Sequence, residues 1–214
     1  MVSVVLESTN ELFIHVPKAA GGSISRALLR NAGASRYSVR GMAVADPCVV
    51  QLQRQLPRPI SEYCAVACVR NPWDWAVSGY LQVTTNMPAF NAAPSFRESI
   101  FGGWKLASKR VYPEKFTNAM AYVAYHTQIT QWEHLGGQRG LDALDWVCRF
   151  ESLEADLART SLPIGELPHI HRSDRFHYSR YYDDELVNVV GDANKNLIRI
   201  FGYEFESSVD YSVS

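Results

Sequence analysis

The 214-residue chain has no apolar run approaching the ~18 residues a membrane-spanning helix needs. Glu7 and Glu11 interrupt the short apolar runs of its first sixteen residues, which read as neither a secretory signal nor an anchor, so the chain is expected to be cytoplasmic. No excess of positive charge is available to bind nucleic acid: 21 Lys and Arg face 22 Asp and Glu, a net charge of −1. Any basic patch must be local. Cys48, Cys64, Cys68 and Cys148 lack metal-site spacing. On one strand Cys64 and Cys68 would lie about 13 Å apart, too far to bridge, so buried free thiols are expected. Internal repeats, low-complexity tracts, Gly-x-Gly-x-x-Gly and Gly-x-x-x-x-Gly-Lys-[Ser/Thr] are all missing. The last two absences weigh against a dinucleotide fingerprint and a nucleoside-triphosphatase loop.

What is present is the composition of a core-forming globular chain, 47% hydrophobic and 20% charged, long enough for one domain over 1–214. Apolar runs at 12–16, 63–69 and 145–150 read as strands, with a weaker one at 36–39. Helical spacing follows at 23–33, 46–56, 73–82, 117–132 and after Ser152. Asp183 opens a last helix whose stripe of Leu186, Val189, Val190, Ala193 and Leu197 runs to Gly202. Residues 84–113, rich in Asn, Pro, Gly and aromatics, read as an excursion or acceptor-side lid. Strands alternating with helices predict an α/β fold with a mainly parallel central sheet flanked by helices.

Two segments carry chemistry. Lys18-Ala19-Ala20-Gly21-Gly22-Ser23 lies between a strand and a helix, where the amides from Gly21 to Ile24 can converge on an anion. The same residues also fit a plain glycine-rich turn with a solvated lysine. Arg70 ends the second clear strand, and Ser78 lies two turns into the next helix. A guanidinium there suits bidentate contact to phosphate, though a sheet-capping arginine and a serine bonded to its own helix fit equally. Together the segments imply a ligand with two phosphate-like ends.

In order and spacing, HVPKAAGGSI and VRNPWDWAVSGY resemble the 5′-phosphosulfate loop and the 3′-phosphate site of sulfotransferases that use 3′-phosphoadenosine 5′-phosphosulfate (PAPS). VCRFESLEADL, LPHIHRSDRFHYSRYYDDEL and FGYEF extend the likeness, which is closest to the carbohydrate-type enzymes of Golgi and bacteria. The resemblance implies a P-loop-like sulfotransferase fold. It also implies transfer of a sulfuryl group to a hydroxyl or amine of a saccharide or small metabolite, without a metal, releasing adenosine 3′,5′-bisphosphate. Lys18 would neutralise charge on the bridging oxygen. Lys18, Ala20, Gly21, Gly22, Ser23, Ile24, Arg70 and Ser78 would bind the donor, with Ser173, Arg175 and Tyr178 matching a loop that returns to it.

The chain departs from that pattern at Ala19 and Gly22, where Thr is common, and at Met42, where many relatives have His. With no histidine at 42, His126 is the favoured general base, ahead of His134, His171 and Asp46. His15 reads as a core histidine, and His169 and His177 as surface or loop-orienting residues. Trp73 and Trp75 read as helix packing, and Trp104 as an acceptor contact. A small-metabolite P-loop kinase and a non-catalytic module that binds the donor or its product are the competing readings.

Overall fold

The computed structural model describes residues 2–31, 34–38, 48–86, 95–101, 129–168 and 175–207. Five strands form one sheet: β1 (Val2–Leu6), β2 (Glu11–Ile14), β3 (Ala34–Ser38), β4 (Cys64–Val69) and β5 (Trp146–Arg149), in the order β3-β1-β2-β4-β5. The sheet is mixed, which corrects the mainly parallel expectation. β2, β4 and β5 run parallel, while β1 is antiparallel to both β2 and β3. The reason lies at Glu7, which begins a turn instead of merely interrupting an apolar run. Four residues join β1 to β2, with Asn10 at φ 56, and so short a connection permits only an antiparallel pair. Glu11, nearly fully buried, accepts the Thr9 hydroxyl at 2.6 Å.

The parallel half positions the site. Leu12, Phe13, Ile14, Ala65, Val66, Ala67 and Val69 are wholly buried, as befits strands covered on both faces. β2 leads through a loop into α1 (Gly21–Leu28), and β4 through Arg70-Asn71 into α3 (Pro72–Asn86), with α2 (Cys48–Gln53) between them in sequence. Asn71 caps α3, its Oδ1 accepting the Trp73 amide at 3.1 Å. α1 ends earlier than its sequence pattern predicts. The Asn31 side chain donates to the Leu28 carbonyl at 3.1 Å and closes the helix there, five residues before the glycine expected to stop it.

The last helix also divides. Asp183 caps it as expected, accepting the Leu186 amide at 2.9 Å. Buried Asn194 then turns its side chain back on the Val190 carbonyl, separating Asp184–Ala193 from Lys195–Phe201. Of the expected excursion only its first residues and 95–101 are described; Phe96 there packs edge-on against Tyr80, Tyr181 and Tyr182. Cys64, Cys68 and Cys148 are free, the last two buried, and burial pushes the Cys148 thiol up to about 11. Among the described residues no helix is long and apolar enough to cross a membrane.

Candidate anion-binding site

The loop before α1 folds by placing two non-glycine residues in the left-handed region, Lys18 at φ 61 and Ala20 at φ 59. Each such placement costs about 1–2 kcal/mol and persists only where the surroundings enforce it. One enforcing contact is Trp75, wholly buried on α3, whose indole N–H donates to the Pro17 carbonyl at 2.8 Å. Another is His15, whose ring lies so close beneath the loop that a Cβ on Gly21 would sit 2.7 Å from it. Gly22, by contrast, faces open space.

The amide set is narrower than the sequence predicts. Ser23 and Ile24 donate their N–H groups to the Ala20 carbonyl, at 3.0 and 3.1 Å, and so turn into the helix. Gly21 and Gly22 remain as the opening amides that helix geometry leaves without an intrahelical acceptor, and Ala20 supplies no side-chain cap. Left-handed backbone just before a helix start points such N–H groups to one side, a concavity suited to an anion.

Arg70 is held from every direction. Its backbone N–H and C=O pair with the buried Gln131 side-chain amide, at 2.7 Å each. Its guanidinium lies 3.9 Å above the Phe150 ring. Nε donates to Asp74 at 2.6 Å, Nη2 pairs with the same carboxylate oxygen, and Nη1 donates to the Lys18 carbonyl at 3.3 Å. Guanidinium has five N–H bonds, so one remains on each terminal nitrogen. Arg175 pairs with the other oxygen of Asp74. Burial draws the Arg70 pKa below its ordinary value, with Asp74 opposing.

Lys18 is held by less. Its Nζ donates to Gln82 Oε1 at 2.9 Å. Burial, then the positive charges of Arg70 and Arg175, lowers its amine to about 8. Asp74, Ser78 and Gln82 recur every four residues and share one face of α3. Half-buried Ser78 therefore sits between the partner of Arg70 and the partner of Lys18. Among the described residues three cations thus converge on a face whose ion-paired acid is Asp74, with Glu151 a second negative charge acting on Arg70.

The structure brings together Lys18, Ala20, Gly21, Gly22, Arg70, Ser78 and Arg175. Tyr178 is buried among Tyr182 and Phe205, and its hydroxyl accepts the Glu206 amide at 2.8 Å. Ser173 and His126 lie outside the described residues, as do Met42, Asp46, Trp104, His169 and His171. His134 is buried in the Gln131–Leu135 helix, and exposed His177 bonds to Ser179. Trp73 and Trp75 pack as expected, Trp73 donating to the Val187 carbonyl at 3.0 Å. Sequence reasoning missed Asp74 and Gln82, though they stand four residues either side of the chosen Ser78 on one helix. Gln131 and Phe150 gave no such signal, because only tertiary contact joins them to Arg70.

No protein-family model matches the chain, and no curated protein does. Among solved structures it is similar to the crystal structure of a sulfotransferase from Alicyclobacillus acidocaldarius, at 16% identity and a TM-score of 0.40. The match covers 74% of this chain and 60% of that one, so the chain spans less than two thirds of that structure's length.

Proposed function

We propose that the chain is a PAPS-dependent sulfotransferase acting on a hydroxyl or amine of a saccharide or small-metabolite acceptor. The observation that carries this reading is the approach of Lys18 to Arg70 and Arg175, two guanidiniums that share one carboxylate, next to the two amides that open α1. These residues fit a donor with phosphate at both ends. The open side of Gly22 admits an anion to the helix start, and the guanidinium of Arg70 keeps an N–H on each terminal nitrogen for a second one.

The bound donor supplies the sulfuryl group. In our reading the Gly21 and Gly22 amides, with the positive end of α1, hold the 5′-phosphate. The Lys18 ammonium offsets the negative charge that grows on that side during transfer. Arg70 and Ser78 hold the 3′-phosphate and set the register of the donor, with Arg175 adding charge. His126 is the proposed proton acceptor for the acceptor group. Ala19 is wholly buried, so the hydroxyl of a Thr at this position would be enclosed in the core, and Ala removes that cost.

Thermal denaturation with adenosine 3′,5′-bisphosphate and with ATP·Mg²⁺ tests the reading, because a ligand specific to the folded state raises the midpoint. The bisphosphate should stabilise the protein and ATP·Mg²⁺ should not. Stabilisation by ATP·Mg²⁺ alone would instead support the small-metabolite kinase. Stoichiometric donor binding with no turnover across a broad acceptor panel would identify a binding module.

A further inference from the structure

Asp74 is the one acid ion-paired inside the cationic cluster among the described residues, and both of its oxygens are engaged. Arg70 reaches it from the end of β4, and Arg175 from a segment 101 residues further along the chain. The three side chains are only 10 to 15% exposed, so little water competes for these bonds. Taken as a charge alone, Asp74 should oppose any anion that binds beside it. Taken as a fixture, it does the reverse. It occupies the Nε edge of Arg70, the Lys18 carbonyl takes a hydrogen of Nη1, and the Phe150 ring sets the plane. The terminal nitrogens are then the part of the fork left to face a ligand.

We infer that Asp74 is a positioning residue for the anion site: it holds Arg70 and Arg175 on one carboxylate and presents their remaining N–H groups to the 3′-phosphate. This rests on the sulfotransferase reading for the identity of the ligand. Charge and position predict opposite signs, which makes the inference testable. Asp74→Asn removes a negative charge, so a purely electrostatic role would tighten binding of adenosine 3′,5′-bisphosphate. A positioning role weakens it by about ten-fold or more, the worth of one well-made bond to a charged group.

Calorimetric titration of the wild type, Asp74→Asn and Asp74→Glu with the bisphosphate decides between them. The expected order is wild type tightest, Glu intermediate and Asn weakest. Unchanged or tighter binding by Asp74→Asn overturns the inference. If the wild type itself does not bind the bisphosphate, the functional reading falls. The positioning role is then read from the Nε–H resonance of Arg70 and the Nη–H resonances of Arg175, the groups that bond Asp74, in wild type and Asp74→Glu. Slow solvent exchange for both in the wild type, lost together in Asp74→Glu, supports it, and rapid exchange in the wild type refutes it. The same resonances serve if Asp74→Asn does not fold.

Discussion

Arg70 and Lys18 stand at two corners of the same cationic site and are secured in opposite ways. Arg70 has an aromatic floor, a carboxylate on one edge, a carbonyl on another and a buried amide pairing its backbone. Among the described residues the Lys18 ammonium, on its flexible stem, has one hydrogen-bond partner, the neutral amide of Gln82. Their titration differs accordingly. The Asp74 carboxylate opposes the burial of Arg70, whereas burial and two positive neighbours all act against Lys18 and bring it down to about 8. A residue that registers a ligand gains from being fixed before the ligand arrives. A residue that meets charge developing during a reaction gains from a weak resting contact that is easily exchanged. On the proposed function, the contrast suits Arg70 to holding the donor and Lys18 to acting on it.

Removing each residue is the bluntest way to break that comparison. Arg70→Ala should destabilise the fold by about 3 kcal/mol or more, because it opens a buried ionic cluster. Chemical denaturation measures this, and a loss below about 1 kcal/mol would mean that the contacts around Arg70 do not constrain it. Lys18→Met, which keeps the stem and the packing, should leave stability unchanged or raised, since it relieves repulsion with Arg70 and Arg175. Its turnover should fall about 10²- to 10³-fold, with donor affinity changed only several-fold. Steady-state kinetics and calorimetry separate the two effects, and equal losses in both would give Lys18 a holding role.

A smaller effect follows from pH. The folded-state value for Lys18, about 8, lies below its ordinary 10.5, so between these values the unfolded chain binds more protons than the native one. Stability should therefore rise as pH climbs from about 8 towards 10.5, the burial penalty being fully present below 8. Lys18→Met should flatten that slope in denaturation midpoints, and a slope unaltered by the substitution would place its origin elsewhere. Binding of the bisphosphate should weaken over the same rise, as the ammonium is lost.

How much of this was legible in the sequence depended on whether the cause was local. The strands ending before Lys18 and at Arg70 were readable because both are uninterrupted apolar runs bounded by loop residues. Helix starts at Asn71 and Asp183 were readable from a single capping side chain. The antiparallel β1 was not: its pairing depends on a turn at 7–10, and Glu7 resembled an interruption of a run. The division of the last helix depends on one buried side chain, Asn194, bonding back to the backbone instead of to water. Lys18 and Arg70 stood out by motif, yet the partners that give them different roles did not. Gln82 and Asp74 needed the helix face to be laid out, and Phe150 and Gln131 needed the third dimension.

The central claim is that Arg70 and its surroundings form the far end of a two-ended site, reserved for a 3′-phosphate. Calorimetric titration of the wild-type protein with adenosine 3′,5′-bisphosphate and with adenosine 5′-monophosphate tests it directly, since the two nucleotides differ only in that group. The bisphosphate should bind about a hundred-fold more tightly, the ~3 kcal/mol expected of charge-assisted contacts to a phosphate. Equal affinity for the two nucleotides would contradict the account.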